Sequence, residues 1–592
     1  MNPILNLSIP QTPTSKQTVI EKLDDEIRSL TARLSVLRSE RNSFSTTYTI
    51  PIEILEEIFT IVRGEYGQEV EMPWGSRFRK CPWLPITCVS QHWRKVALEC
   101  PQLWCDIHIG TLPTPTIKTF LERSRGRGLS VNFAHYQQPR PLSSAGIELT
   151  DVFAEARRIE KLDLSLDRKS FLKIRPRLLS APTPKLGTLS IAGPVDVPDH
   201  IFQGVTPELH SLSLSWCNFS PNFPLFTANI TSLDILRCPA VGSTLMWLNV
   251  LRRMPQLSQL SLKSSFAGEL HVPIPPYFDA VPLPQLSQLT IEGSLFDSDL
   301  DFLSHITFPS HTAVSFTSST GASPSEPPMT LLVAVLRAHR RSCSSRDTSA
   351  VETNITAVKL EGVWTEDPGR TLIQFHAHIA GLLQPYLSIT ILTDSGEAIP
   401  VASTWTEMPM ADIALLPISL ATSFTTNCVV SEEGWEILSS RSPHLQDIEV
   451  SELPVQPFLS VLGAGDIDIL DPNEDWRRLV SFLGGMEGES GASWPDDDED
   501  TSNVTLRTGH SLFKSLKSIK LYDLDPLRFK EELINALTAR CINGLPIEKI
   551  QLSRRGGVDN EFFFDLKGLV PLVEYDDGHD WNWNPTPYSY PL

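Results

Sequence analysis

Positive charge is in short supply. The chain carries 50 Lys and Arg against 70 Asp and Glu, a formal net charge of −20. Nucleic acid and anionic membrane surfaces both need a basic face, so neither is an expected partner. Cysteine is sparse as well: nine in 592 residues, an odd count, with no Cys-x-x-Cys pair. No His–Cys cluster has zinc spacing, which leaves free thiols in a reducing compartment and a cytoplasmic or nuclear location. Long apolar runs are missing. The longest, such as LLVAVL at 331–336, fall far short of the roughly 20 residues that span a bilayer. The start MNPILNLSIPQTPTSKQ has no basic segment followed by an apolar core, so no secretory leader is expected. There is no Gly-rich phosphate loop, no His-Glu-x-x-His and no Gly-x-Ser-x-Gly. His376 and His378 would share one strand face but have no third ligand. Cys343 and Cys541 have no evident base. The expectation is a chain with no catalytic residues, metal or cofactor.

What is present begins with heptads. In IEKLDDEIRSLTARLSVLRSERNSF the series Ile20, Leu23, Ile27, Leu30, Leu34, Leu37, Arg41, Phe44 alternates steps of three and four. That is a seam for another helix, either self-association through 20–44 or a helix folded back on its own chain. Acids lie early (Glu21, Asp24, Asp25, Glu26) and cations late (Arg33, Arg38, Arg41), which suits the helix dipole. Residues 1–17 read as disordered and 18–47 as the heptad helix.

A second amphipathic pattern follows. Pro51 stands at a helix start, and Ile54, Leu55, Ile58, Phe59 and Val62 form one stripe opposite Glu53, Glu56 and Glu57. After an irregular stretch comes VSQHWRKVALECPQLW, with Val89, Trp93, Val96 and Ala97 at helical spacing. The order Ile50-Pro51-x-Glu53-Ile54-Leu55-x-x-Ile58-Phe59, then Val89-Ser90-x-x-Trp93-Arg94-x-Val96-Ala97, then Leu103-Trp104 resembles an F-box. It is most similar to the F-box-like proteins of mushroom-forming fungi, which carry a heptad helix ahead of the box and a long insert inside it. Ile50 stands where that family usually has Leu. The resemblance covers 48–105. It implies binding to a Skp-type adaptor and a cullin-based ubiquitin ligase, with Ile50, Pro51, Leu55, Ile58, Val89 and Trp93 making or supporting the adaptor surface. So few short helices cannot bury their apolar faces alone; the other reading is a helical cap on the domain that follows.

Beyond Trp104, CDIHI alternates as a strand, and from residue 159 an apolar-x-x-apolar-x-apolar pattern recurs. Its copies are Ile159/Leu162/Leu164, Leu186/Leu189/Ile191, Leu209/Leu212/Leu214, Ile230/Leu233/Ile235, Leu257/Leu260/Leu262 and Leu286/Leu289/Ile291. Later ones are Ile355/Val358/Leu360, Leu415/Ile418/Leu420, Leu445/Ile448/Val450, Leu516/Ile519/Leu521 and Ile547/Ile550/Leu552, with HTAVSF and YLSITI as degenerate copies. The spacing fits a leucine-rich repeat, one short strand and a return per copy, with Cys217 and Cys238 as small buried groups where the chain turns. The fold class is therefore α/β: a heptad helix, a small helical F-box-like module, and a solenoid of parallel strands over 106–592. Residues 484–503, rich in Gly, Ser and acid, read as a disordered insert. Arg337–Ala350 reads as a basic loop and the aromatic tail from His579 as a terminal cap. The outward strand positions would take a target protein, with Ser211, Ser213, Asp234, Gln259, Gln288 and Tyr522 on that face and Trp216 as a further anchor. The functional expectation is a non-catalytic substrate receptor. The alternative is an interaction scaffold without ubiquitin-ligase function.

Overall fold

A strand of about five residues with alternate Leu and Ile has one apolar face, which must be covered. In this protein it is covered by coils that return behind the strands. The computed structural model describes residues 13–65, 81, 83–109, 112–134, 151–220, 222–238, 243–264, 274–275, 278–293, 296–320, 328–343, 355–364, 370–379, 385–394, 413, 418–463, 512–522, 526–553 and 560–576. The acidic insert and the aromatic tail lie outside them. The chain forms two compact units, Met1–Leu225 and Phe226–Leu592, and both are α/β with mostly parallel strands.

The first unit opens with helix α1 (Pro13–Ser43), which starts ahead of residue 18. Helices α2 (Ile52–Glu65) and α3 (Gln91–Glu99) follow. Then come strand β1 (Asp106–Ile109), helix α4 (Thr114–Arg123) and strands β2 (Leu129–Ala134), β3 (Ile159–Ser165), β4 (Thr188–Ala192) and β5 (Ser211–Ser215). These strands pair in sequence order, all parallel. Each copy of the pattern buries all three apolar residues: Leu186, Leu189, Ile191, Leu209 and Leu214 are fully buried. The first of the three closes a turn, as where Leu186 N–H donates to Thr183 O and Leu209 N–H to Thr206 O. The strand ends at Gly193 (φ 130°), whose N–H donates to Ser215 O. A Cβ there would fall 1.9 Å from the Leu166 carbonyl oxygen, so only glycine fits.

The second unit holds β6 (Ser232–Leu236), β7 (Gln259–Lys263), the two-residue β8 (Val281–Pro282), β9 (Gln288–Gly293), the two-residue β10 (Ile306–Thr307) and β11 (Ala313–Thr320). It continues with β12 (Ile355–Trp364), β13 (Arg370–Ile379), β14 (Leu387–Asp394), β15 (Ser423–Thr426), β16 (Asp447–Ser451), β17 (Ser518–Tyr522), β18 (Lys549–Ser553) and β19 (Leu572–Asp576). From β6 through β7 and β9 to β11, and from β15 to β19, neighbours are parallel and in sequence order.

Between those runs the structure departs from the expected all-parallel order. β11 pairs with β14, β14 with β13, β13 with β12 and β12 with β15, and the two middle pairings are antiparallel. Only residues 365–369 join β12 to β13 and 380–386 join β13 to β14. Connections that short make antiparallel neighbours, because a parallel crossover needs a dozen residues or more. The apolar sides still match: Leu360 lies opposite Phe375 and Phe375 opposite Ile389, all buried.

Three further differences are local. The copy placed at Leu415/Ile418/Leu420 sits six residues early. The strand is β15, with Ala421, Phe424 and Thr426 buried and Leu420 41% exposed. β2 and β19 were not anticipated. And Arg337–Ser342, read as the start of a loop, completes the helix Pro328–Ser342. Leu332, Val335, Leu336 and His339 carry its buried stripe through the basic residues.

Alternate positions on β5 give a direct test of the register. Leu212 points into the core and Ser213 outward. Leu212→Asp buries an unpaired carboxylate and should cost more than about 3 kcal/mol in urea-melt stability. Ser213→Asp should stay within about 0.5 kcal/mol. Equal effects would mean the strand does not face as described.

Candidate functional site

The helical module between α1 and β1 is built from two helices with opposite demands. On α2, Leu55 and Phe59 are fully buried, whereas Ile52, Ile54 and Ile61 are 51%, 46% and 53% exposed and Ile58 is 36% exposed. The single apolar stripe read from the sequence therefore divides into an inner row and an outer one at i, i+4, i+7. α3 is capped by Ser90, whose hydroxyl accepts from Trp93 N–H at 3.1 Å. That is the physical role of Ser90 three residues ahead of the Trp. The Trp93 ring lies 5.3 Å from Phe59, and its indole N–H is buried with no partner among the described residues.

Of the other positions expected at an adaptor surface, Pro51 is exposed and starts α2, its carbonyl accepting from Leu55 N–H at 3.0 Å. Ile50 and Trp93 are half-buried. Val89 is 57% exposed. Leu55, at 0%, is fully buried inside the module and is not on its surface.

The inner side of the module is tied to the first strand. Arg63 reaches both carboxylate oxygens of Asp106 on β1, at 2.6 and 2.7 Å, and its third nitrogen donates to Gln102 O. Trp104 donates its indole N–H to Ala97 O at 3.0 Å and packs edge-on against Trp83 and Phe120. The Arg123 guanidinium covers the Trp104 ring at 4.5 Å. Trp83 and Phe120 come from either side of the module boundary, and nothing in their local sequence announces the contact. Arg63 and Asp106 are equally silent, 43 residues apart.

Between α1 and the module lies a groove of about 520 Å³, lined by Leu34, Ser35, Arg38, Arg41 and Asn42 on one wall and Tyr48, Thr87, Val89, Gln91, His92 and Arg94 on the other. Gln91 Nε2 donates to Ser35 Oγ at 2.6 Å. This contact uses the Ser35 side of α1; Leu34 and Arg41 border the groove, and Ile20, Leu23, Ile27, Leu30 and Leu37 lie outside it.

The outward strand face is polar. In the first unit Ser213 continues a row from Asn132, Asp163 and Ser190, and Ser211 lies beside Thr188. In the second unit Asp234 lies beside Ser261, Gln259 between Ser232 and Gln288, and Tyr522 between Ser451 and Ser553. The antiparallel insertion adds Lys359, His376 and Ser388 to the Asp234–Ser261 row, positions that a parallel repeat would not have supplied. His376 and His378 do share one strand face, and His376 Nδ1 lies 3.1 Å from Ser388 Oγ. Glu449 with Lys520 (2.6 Å) and Glu574 with Lys549 (2.8 Å) pair across strands. Trp216 is 52% exposed just past β5, in a left-handed conformation (φ 60°).

One nucleophile gains a neighbour that the sequence did not reveal. A helical turn places His339 Nε2 3.7 Å from Cys343 Sγ. Burial governs both groups in the wrong sense for thiolate chemistry. It pushes the Cys343 thiol up to about 12 and His339 down to about 4. An activated Cys–His pair needs the thiol pKa lowered. Cys81 is likewise pushed up to about 12, chiefly by burial. Among the described residues no group of three or more His, Cys, Asp or Glu side chains could hold a metal ion, and no helix is long and apolar enough to cross a membrane. No family model matches the chain, and no curated protein sequence matches it.

His339 carries a pH prediction. Its ring is neutral in the folded state and packs near Phe308 and Tyr386. A lowered folded pKa stabilises fully above the unfolded value of 6.5, and that contribution is lost as pH falls toward about 4. Urea melts at pH 7 and pH 4.5 should therefore show the wild type losing up to about 3 kcal/mol more than His339→Gln. Parallel losses would place the pH sensitivity elsewhere.

Proposed function

We propose that this protein is a non-catalytic substrate receptor of a Skp–cullin–F-box type of ubiquitin ligase. The helical module seats a Skp-type adaptor, and the polar strand face of the repeats, read as a leucine-rich-repeat solenoid, takes a target protein. The observation that carries this reading is the outer row of α2. Ile54, Ile58 and Ile61 are left exposed on a module whose inner side is already satisfied by Arg63, Trp104 and Phe59. Isoleucines kept at the surface in register on a short helix suit a partner better than they suit water. The order of residues from Ile50 to Trp104, with Ser90 as a helix cap, supports the F-box assignment specifically.

On this reading the protein does no chemistry. It holds a target close to a ubiquitin-charged enzyme and acts by raising effective concentration. A target surface of Ser, Thr, Gln and paired charges would bind through many polar contacts, with Tyr522 and Trp216 as aromatic anchors. The second reading, an interaction scaffold without an adaptor, rests on the tie of Arg63 to Asp106, which a simple helical cap on the first strand would also need.

Co-expression with a Skp-type adaptor followed by pull-down separates the two. Ile61→Lys places a charge on a position that is 53% exposed, so the far-UV spectrum and melt should be unchanged while adaptor capture falls at least about thirtyfold, the loss of a 2 kcal/mol contact. Undiminished capture by this variant, or no capture by the wild type, would remove the ubiquitin-ligase reading and leave the scaffold.

A further inference from the structure

The heptad face of α1 stands open. Ile20, Leu23, Ile27, Leu30, Leu34 and Leu37 are 40–60% exposed, although aliphatic residues at this spacing form a seam for a second helix. The module is bonded to α1 through Ser35, and of the seam only Leu34 and Arg41 border the groove between them. The charges of α1 are also unanswered. Asp25 pairs with Arg28, but among the described residues no ion pair reaches Glu21, Asp24, Glu26, Arg33, Arg38 or Arg41. They are sorted along the helix as well. Residues 20–29 hold four carboxylates and two cations, a net of −2, and residues 30–44 hold three guanidinia and one carboxylate, a net of +2.

We propose that α1 pairs with the α1 of a second copy of this chain, antiparallel and centred between Arg28 and Ser29. This register stacks Ile20 on the second copy's Leu37, Leu23 on its Leu34 and Ile27 on its Leu30, each twice by symmetry. It uses almost the whole helix, because Pro13–Ser43 is itself centred on Arg28. With Ile20, Ile27, Leu34 and Arg41 at the first heptad position, Glu26 and Arg33 flank the seam. Antiparallel pairing brings Glu26 of each copy to Arg33 of the other. A parallel pair is disfavoured at the same positions: Arg41 would meet Arg41 within the seam, Arg33 would meet Arg38 beside it, and no opposite charges would face each other there. The cost of the antiparallel register falls at its ends, where Arg41 stands in the seam.

This inference does not depend on adaptor binding, and its test uses the full chain. Sedimentation equilibrium should give a particle of twice the 66.0 kDa chain. Ile27→Lys with Leu30→Lys should make it monomeric while the chain stays folded, since both side chains are surface groups in the single copy. Orientation is read from Arg33→Glu alone. In the antiparallel pair it faces Glu26 and weakens dimerisation about tenfold, given two flanking pairs turned repulsive, and adding Glu26→Arg restores it. In a parallel pair the same R33E change would face Arg38 and tighten the dimer. Tightening by R33E overturns the antiparallel register. A monomeric wild type at every concentration, or a dimer indifferent to the Lys pair, overturns self-pairing through α1.

Discussion

Two inward residues on a five-residue strand cannot be buried by that strand or by its own return. Leu212 and Leu214 are dry because Leu189 and Ile191 lie beside them in register and the returning chain closes behind. Every copy therefore depends on its neighbour, and a run of copies has outer strands that depend on something else. At the start of the first unit, β1 pairs with β2, and the helical module is bolted to it through Arg63–Asp106 and the Trp83–Trp104–Phe120 cluster. The inner half of the module is thus explained by the repeat. Its outer half is not, and the proposed function rests on that asymmetry.

The same reasoning separates stability from function on α2. Leu55 and Phe59 face inward, so truncating either would cost stability whether or not an adaptor exists. Ile54 and Ile61 face outward, with Ile58 at the edge of the same row, and on the proposed reading they bear on binding more than on folding. On the strand face the division follows the pleat: inward positions are mostly aliphatic or Phe, and outward ones are mostly polar, with cross-strand charge pairs such as Glu449–Lys520. Such a face adds little to the core, and on the proposed reading it is the face that a target would specify.

Much of this was readable in the residues, and the misses have physical causes. The copies at 159, 186, 209, 230, 257 and 286 were legible because three buried aliphatics recur at fixed offsets. β2 escaped because Leu129, Val131 and Phe133 lack the leading three-residue step. The copy near 415 was misplaced because Leu415, Ile418 and Leu420 imitate the pattern, while the true strand uses Ala421, Phe424 and Thr426. The reversal of β12, β13 and β14 was invisible, since alternation reads the same in parallel and antiparallel strands; only the short connections at 365–369 and 380–386 hint at it. On α2 the exposed and buried rows are both strongly apolar, so hydrophobicity could not divide them. The Arg63–Asp106 tie and the His339–Cys343 approach are matters of tertiary and helical placement that no motif marks.

The central claim is that the module has one face closed by the repeat and one left for an adaptor. Amide hydrogen exchange on the full chain, with and without a purified Skp-type adaptor, tests it most directly. The account predicts new protection along Ile54–Ile61 of α2 and around Val89, with the strands and Arg63's contact to β1 unchanged. Protection that appears only on the strand face, or no change anywhere between residues 50 and 105, would contradict it.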